Sequence, residues 1–106
     1  MNDRLLSLLG ICRKAGRLTI GCDPVKESIE TGKACLVLAA SDISANTASK
    51  VIPVAERFSV DFVTISRCKD ELSFSLGKTA AVVSVTDEGF AKKLREIISA
   101  ECKGGN

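Results

Sequence analysis

Apolar residues recur at intervals of three and four in five stretches of the chain, which is the spacing of amphipathic helices. In the first stretch Leu5, Leu8, Leu9 and Cys12 share one side, and Gly16 stands where that helix would end. Four more helices are predicted in the same way: from Asp23 to about Gly32, around Ala48–Phe58, over Lys69–Leu76, and from Thr86 or Asp87 through Ile98.

The two prolines mark special positions in two of these helices. Asp23 followed by Pro24 is the pattern of an N-cap residue with proline at the first helical position. Pro53 falls inside the third helix, where a missing backbone N–H costs roughly 3 kcal/mol. We therefore expect a kink there, or a helix that begins near Pro53.

Four short apolar runs lie between the helices and are predicted as strands: Leu18–Ile20, Ala34–Ala40, Val60–Ile65 and Ala80–Val85. The second run is continuously apolar and too short for a typical helix, so it fits a strand that is buried on both faces. Alternating helices and strands imply an α/β protein: a three-layer α/β/α sandwich whose small, mixed and mostly parallel sheet has helices on both faces. We expect one domain over residues 1–106, with fraying from Cys102 to Asn106.

The composition excludes most common kinds of catalytic site. The chain has no histidine, which is the commonest general base and a common metal ligand. Its five cysteines never form a C-x-x-C pair, so we expect free thiols in a reducing compartment and no metal or other cofactor. The glycines form neither standard phosphate-binding loop, and no apolar run is long enough to cross a bilayer, so we expect no signal peptide and no membrane span.

A small enzyme or small-ligand binder would have to use Asp42 and Asp87, which each follow a predicted strand. Two carboxylates at neighbouring strand ends can act as an acid–base pair if they lie within about 9.5 Å of each other. Each is also an ordinary capping or turn residue. We favour the structural role for both aspartates.

Positive charge is concentrated in one part of a chain whose net charge is only +2. Cations and the backbone N–H groups of a helix N-terminus both suit phosphate oxygens. A solvated charged surface is the alternative interpretation. The cations concerned, with the turn between them, are Arg13, Lys14, Arg17, Gly21, Lys26 and Lys33. No aromatic residue interleaves with them, so stacking on single-stranded bases is not expected; if these cations bind RNA, a structured RNA is the better candidate.

Four longer stretches, taken together, resemble one protein family. In chain order they are LLGICRKAGRLTIG, GKACLVLAASDISANT, DELSFSLGK and SVTDEGFAKKL. Their order and spacing resemble the YlxQ proteins, which are bacterial relatives of the archaeal and eukaryotic ribosomal proteins that bind kink-turn RNA. The resemblance implies a three-layer α/β/α fold, no catalysis, and binding to a bulged RNA helix with tandem sheared G·A pairs.

The resemblance also implies which segments hold the RNA: one that begins at the match to Gly21 and continues into the second helix, and a loop that matches the region around Lys78, Thr79 and Ala80. Family members that bind kink-turns well tend to place asparagine, glutamate and lysine in the first segment. The matching residues here are Asp23, Pro24 and Glu27.

The change at Asp23 has a chemical consequence. A carboxylate only accepts hydrogen bonds, and the major-groove edge of guanine offers only the acceptors N7 and O6. A guanine would therefore have to be read by Lys26 or by the backbone N–H groups of Gly21 and Cys22. Asp23 itself can pair with adenine or cytosine amino groups, or simply cap its helix.

The sequence predicts a non-enzymatic protein that binds structured RNA, with kink-turn elements of ribosomal or other noncoding RNA as the expected target. The alternative is a protein-interaction module of the same fold that has lost kink-turn recognition. We expect a cytoplasmic monomer with no membrane partner and no small-molecule substrate. The residues expected to contact RNA are Arg13, Lys14, Arg17, Gly21, Cys22, Asp23, Lys26, Lys33, Lys78 and Thr79.

Overall fold

Five helices alternate with four short strands in residues 3–104, the part of the chain that the computed structural model describes. In chain order they are α1 (Arg4–Lys14), β1 (Leu18–Ile20), α2 (Cys22–Glu30), β2 (Leu36–Ala39), α3 (Ala45–Arg57), β3 (Phe62–Thr64), α4 (Lys69–Leu76), β4 (Val82–Val85) and α5 (Glu88–Gly104). Side chains are described as far as Glu101. The fraying predicted from Cys102 is wrong as far as Gly104, because α5 continues to that residue, and residues 105–106 lie outside the described part of the chain. No helix within residues 3–104 is long and apolar enough to cross a membrane.

The four strands form one sheet in the order β1-β4-β2-β3. β1, β2 and β3 share one direction, and β4 runs against them from its place between β1 and β2. The sheet is mixed, as predicted, but the expectation of mostly parallel pairing is wrong, because the reversed strand is central and makes two of the three pairings antiparallel.

The reversal of β4 arises because the chain enters and leaves α4 beside the same end of β2. At the start of α4 the Lys69 N–H donates to Asp42 Oδ1 at 2.8 Å. After α4 the Ala81 carbonyl accepts the Ala40 N–H, also at 2.8 Å. A parallel β4 would need a connection that returned to the far end of the sheet, and the chain between α4 and β4 does not do this.

Helices cover both faces of this sheet, which confirms the three-layer α/β/α fold. One face is covered by α1, α4 and α5, whose buried side chains include Leu5, Leu9, Leu72 and Leu94. The other face is covered by α2 and α3, through Val25, Ile29, Val51 and Val54. Every residue of β2 and β4 is buried between these layers. Full burial of each such side chain contributes roughly 1.5–3 kcal/mol, so the two apolar layers are the main source of stability.

The predicted cap of α2 is wrong. The helix begins at Cys22 and its N-cap is Gly21, so Asp23 lies in the first turn and Pro24 at the third helical position. Proline is tolerated there because the first four N–H groups of a helix have no partner within it. The Asp23 side chain is exposed and is left available for another partner.

The expectation that the third helix begins near Pro53 is also wrong. α3 starts at Ala45, and Ser44 Oγ caps it by accepting the Thr47 N–H at 3.1 Å. Pro53 therefore lies inside a helix of 13 residues and leaves one intrahelical bond unmade. An N-cap of this kind contributes about 1 kcal/mol, which offsets part of that cost.

An ion-pair cluster centred on Arg67 ties α1 and α5 to the segment between β3 and α4. The Arg67 guanidinium donates to Asp3 from Nε to Oδ2 at 2.6 Å and from Nη2 to Oδ1 at 3.0 Å, and from Nη2 to Glu101 Oε2 at 2.7 Å. Asp3 also caps α1, where Oδ1 accepts the Leu6 N–H at 3.1 Å. Hydrogen bonding from Arg67 holds the pKa of the Asp3 carboxyl below its usual range.

We expect Arg67→Met to lower the free energy of unfolding by about 1–2 kcal/mol near neutral pH, because it removes these bonds and keeps the aliphatic stem. A carboxyl whose pKa is lowered by folding stabilises the protein above its unfolded value of 3.8, and this contribution is lost as the pH falls through the folded-state pKa. The difference between variant and wild type should therefore shrink below pH 3.8, as urea unfolding over that range would measure. Arg4→Met, which removes an exposed arginine next to Asp3, is the control, and an equal loss there would contradict the assignment.

Candidate nucleic-acid interface

Different parts of the chain lie at the two ends of the strands, which we call the two edges of the sheet. At one edge β1, β2 and β3 end and β4 begins; we name it the Gly21 edge, after Gly21, whose N–H donates to the Val82 carbonyl at 3.0 Å. At the other edge β4 ends and the other strands begin; we name it the Arg17 edge, after Arg17, whose carbonyl accepts the Thr86 N–H at 2.9 Å. Strands of this length separate the two edges by roughly 10 Å.

The start of α2 and the loop that precedes β4 lie side by side at the Gly21 edge, because β1 pairs with β4 through Ile20 and Val83. The Gly21 N–H is bound to β4, so the backbone donor expected at this position is Cys22 rather than Gly21. Lys26, one turn further along α2, is half-buried. The sequence-predicted residues that meet at this edge are Gly21, Cys22, Asp23, Lys26, Lys78 and Thr79.

Arg13 and Ser73 fix the shape of loop 77–81. Arg13 Nη1 donates to the Leu76 carbonyl at 2.6 Å and lies 3.8 Å from the position that a Cβ on Gly77 would take. Ser73 accepts the Gly77 N–H through its carbonyl at 2.9 Å and the Ala80 N–H through Oγ at 2.8 Å. Arg13 therefore braces the loop from α1. Helical periodicity gives no signal for the role of Ser73, because its Oγ acts on a turn outside the helix.

The remaining predicted cations lie away from the Gly21 edge. Arg17 precedes β1 at the Arg17 edge. Lys14, the last residue of α1, stands three residues before Arg17 in the chain. Lys33 follows the end of α2, a helix of nine residues that extends about 13 Å from one edge towards the other. Residues that are close in the sequence are thus divided between the two edges of the sheet.

Asp42 and Asp87 lie at opposite edges, which removes the acid–base pair considered from the sequence. Asp42 follows β2 at the Gly21 edge, where it accepts the Lys69 N–H at the start of α4. Asp87 follows β4 at the Arg17 edge, and its carbonyl accepts the Ala91 N–H at 2.9 Å in the first turn of α5. β2 and β4 are antiparallel, so their C-terminal ends point to different edges. Each aspartate accepts a backbone N–H from the first turn of a helix.

A chain of buried hydroxyl groups joins α2 to the sheet. Ser28 Oγ donates to the Val25 carbonyl at 2.7 Å and accepts from Ser84 Oγ at 2.7 Å, and Ser84 is bonded in turn to the Thr19 hydroxyl. Ser84 is 0% exposed and Ser28 is 5% exposed, so an unpaired hydroxyl at either site would cost roughly 1–3 kcal/mol. This hydroxyl chain fixes how α2 lies on β1 and β4, and so where its first turn stands. Sequence reasoning missed it because Ser84 lies within an otherwise apolar run.

The cysteines whose side chains are described are free thiols, as predicted: Cys12, Cys22, Cys35 and Cys68. Cys12 is buried, and its Sγ donates to the Arg17 carbonyl at 3.1 Å. Burial, with a smaller contribution from Asp87, raises the pKa of the Cys12 thiol to about 11, and Arg17 opposes this shift. Burial also raises the pKa of Cys35. Both thiols are therefore protonated and weakly nucleophilic near neutral pH. Cys102 lies outside the described side chains.

The fold and the Gly21 edge define a class of α/β/α protein whose candidate binding surface combines a helix N-terminus with an adjacent loop at one end of a mixed sheet. The chain belongs to the ribosomal protein L7Ae/L30e/S12e/Gadd45 family, whose model matches residues 3–95. The resemblance to the YlxQ proteins is confirmed, because the chain is 38% identical over 92 residues to the RNA-binding protein YlxQ of Bacillus subtilis (strain 168), covering 86% of this chain and 91% of that protein. It is 33% identical over 97 residues to the RNA-binding protein YlxQ of Enterococcus faecium, covering 91% and 92% of the two chains.

Solved structures share this fold. A protein of unknown function from Bacillus halodurans matches with a TM-score of 0.84 and 27% identity, over 92% of this chain and 99% of that chain. The Giardia lamblia 15.5kD RNA binding protein matches with a TM-score of 0.70 and 22% identity, over 93% of this chain and 88% of that chain. At that identity the second match shows the fold alone.

Gly21 has φ 105° and ψ 159°, a backbone conformation that residues with a side chain rarely adopt. We expect Gly21→Ala to lower the free energy of unfolding by about 1–3 kcal/mol. Gly10→Ala is the matched control, because a Cβ in that α1 position meets no atom within 4 Å and should raise the free energy of unfolding by about 0.5–1 kcal/mol. Urea unfolding of both variants measures the difference, and changes of the same sign would contradict this account of Gly21.

Proposed function

We propose that this chain is an RNA-binding protein without catalytic activity that holds RNA at the Gly21 edge. The observation that carries the proposal is the adjacency of the first turn of α2 and loop 77–81, which follows from the bond between the Gly21 N–H, just before α2, and the carbonyl of Val82, the first residue of β4. Two YlxQ relatives that match most of the chain are named as RNA-binding proteins, which supports it. Membership of a family that includes ribosomal proteins supports it further.

The Gly21 edge offers a compact set of hydrogen-bond donors. Because the Gly21 N–H is bound to the sheet and Pro24 has none, the donors of the first turn of α2 are the N–H groups of Cys22 and Asp23. A helix N-terminus also favours negative charge, which suits phosphate oxygens. Ammonium groups, which suit both phosphates and the N7 and O6 acceptors of guanine, are supplied by Lys26 and Lys78.

The proposed target is a kink-turn element of ribosomal or other noncoding RNA. The exposed Asp23 carboxylate can accept from an adenine or cytosine amino group, and Lys26 is the residue best placed to read guanine. RNA phosphates that extend to the Arg17 edge would be bound by Lys14, Arg17 and Lys33. We propose one domain over residues 1–106 that acts as a monomer in the cytoplasm. A protein-interaction module that has lost kink-turn recognition is the competing function.

Binding should be tighter to a kink-turn RNA than to a fully paired RNA of equal length, and it should weaken as salt rises. The salt dependence arises because protein cations release counterions from each neutralised phosphate, with a slope of roughly 0.7–0.9 per contact in a plot of log affinity against log salt. Fluorescence anisotropy titrations of both RNAs at two salt concentrations measure both effects. Equal and weak binding to the two RNAs would favour the protein-interaction module instead.

Lys26→Ala should weaken kink-turn binding by about tenfold or more and duplex binding much less, because it removes a contact to base edges. Lys33→Ala is the matched control: it removes the same residue type from the segment that follows α2, so it should weaken binding to both RNAs equally and slightly. The same anisotropy titrations, at one salt concentration, compare the variants. An equal loss on both RNAs for Lys26→Ala would contradict its assigned role.

A further inference from the structure

Phe74 is the most exposed large apolar side chain in the described part of the chain, and the proposed RNA site does not use it. All four phenylalanines lie within the described residues, and Phe62 and Phe90 pack against the apolar layers. Phe58 is 40% exposed, and the Arg57 guanidinium lies over its ring at 5.8 Å. Phe74 is 92% exposed, so its ring remains in water.

The position of Phe74 on α4 explains this exposure. Leu72 and Leu76 form the buried side of the helix, and Phe74 lies between them, about 200° around the axis from either one. It therefore points away from the core that its neighbours fill. An aromatic side chain at a solvent-facing helix position costs the protein helix propensity and adds nothing to packing. Its ring is therefore available to contact a partner.

A groove of about 300 Å³ runs beside the Phe74 ring, between α1 and α4. Its lining residues are Asp3, Leu6, Ser7, Glu71, Phe74 and Ser75. The lining is thus apolar and hydroxylic, and both of its ionisable side chains are carboxylates. Asp70 stands one turn before Phe74 on the same side of α4 and adds a third carboxylate. Arg4 lies one turn before Ser7 and so stands at the α1 margin of the groove, whereas Asp70 and Glu71 stand on α4 beside Phe74.

We propose that the α1–α4 groove binds a basic segment of a partner protein, with one large apolar side chain laid against Phe74 and flanking Lys or Arg side chains beside Asp70 and Glu71. Charge complementarity identifies this occupant: Asp3 is already bonded to Arg67, whereas Asp70 and Glu71 beside the ring are exposed carboxylates, which would repel the phosphates of RNA. Aromatic side chains, Phe among them, are enriched at protein–protein interfaces, and Phe74 has a groove beside it. The site shares no residue with the proposed RNA contacts, so each proposal can fail without the other.

Selection from a random peptide library displayed on phage, with the full chain as bait, tests the proposal. The enriched peptides should combine a Leu, Ile, Phe or Met with Lys or Arg on both sides. The selected peptides are then synthesised, with charge-reversed copies in which Glu replaces each Lys and Arg, and titrated by anisotropy. The charge-reversed copies should not bind.

Three variants locate the binding site. Phe74→Ala and Asp70→Lys should each weaken peptide binding by roughly tenfold or more, because one removes the apolar contact and the other opposes the basic flanks. Ile11→Ala is the matched control: it removes a side chain that is 55% exposed on α1 outside the groove lining, and peptide binding should not change. Circular dichroism should show all three variants folded, because each altered side chain is exposed.

Other results would overturn the proposal. Peptides without a basic bias, or peptides that bind Phe74→Ala as well as wild type, would do so directly. If sedimentation shows that wild type dimerises and Phe74→Ala does not, the occupant is a second copy of this chain. If no peptide is enriched and Phe74→Ala weakens RNA binding tenfold, the ring contacts RNA instead.

Discussion

The placement of β4 is the constraint on which the rest of the structure depends. It lies between β1 and β2, is buried along its whole length, and runs against both neighbours. Its first residue therefore lies beside Gly21, and loop 77–81 comes to rest next to the first turn of α2. A parallel β4 would place that loop at the Arg17 edge, roughly 10 Å from the helix start that it accompanies. The candidate interface thus follows from one reversed strand.

Polar bonds inside an apolar core hold this arrangement in one register. Ser84 lies opposite Thr19 in the pairing of β1 with β4, and its hydroxyl also reaches Ser28 on α2. A slip of one residue would turn every β4 side chain to the other face and leave these hydroxyls unpaired, so the slipped state is disfavoured beyond its loss of packing. Arg13 on α1 and Ser73 on α4 hold loop 77–81 in place through hydrogen bonds to its backbone and to the Leu76 carbonyl before it. The parts of the site are therefore positioned before any ligand arrives.

The sequence predicted each helix and strand because periodicity is a local property, and burial of one face requires it. It could not predict the cap of α2, because the conformation of Gly21 is set by a bond to β4, which is far away in the chain. The Asp23–Pro24 pattern does mark the start of a helix, but Asp23 stands two residues after the actual N-cap, Gly21. Sheet order is likewise non-local, so Lys26 and Lys33, grouped in the sequence, lie towards different edges. The family resemblance supplied the adjacency of α2 and loop 77–81, which no spacing rule contains.

The helix α4 links the two surfaces of the molecule. Its C-terminus leads into loop 77–81, which Arg13 and Ser73 brace, while its outer side carries Phe74 and Asp70. The proposed RNA contacts at the Gly21 edge are mainly donors, whereas the proposed contacts of the α1–α4 groove are carboxylates, so the two proposals require ligands of opposite charge. A ligand on one side of α4 can alter affinity on the other only if it binds two states of this helix differently. Because α4 is held at both ends, by Asp42 at its start and Arg13 at its end, such coupling should be weak and the two surfaces nearly independent.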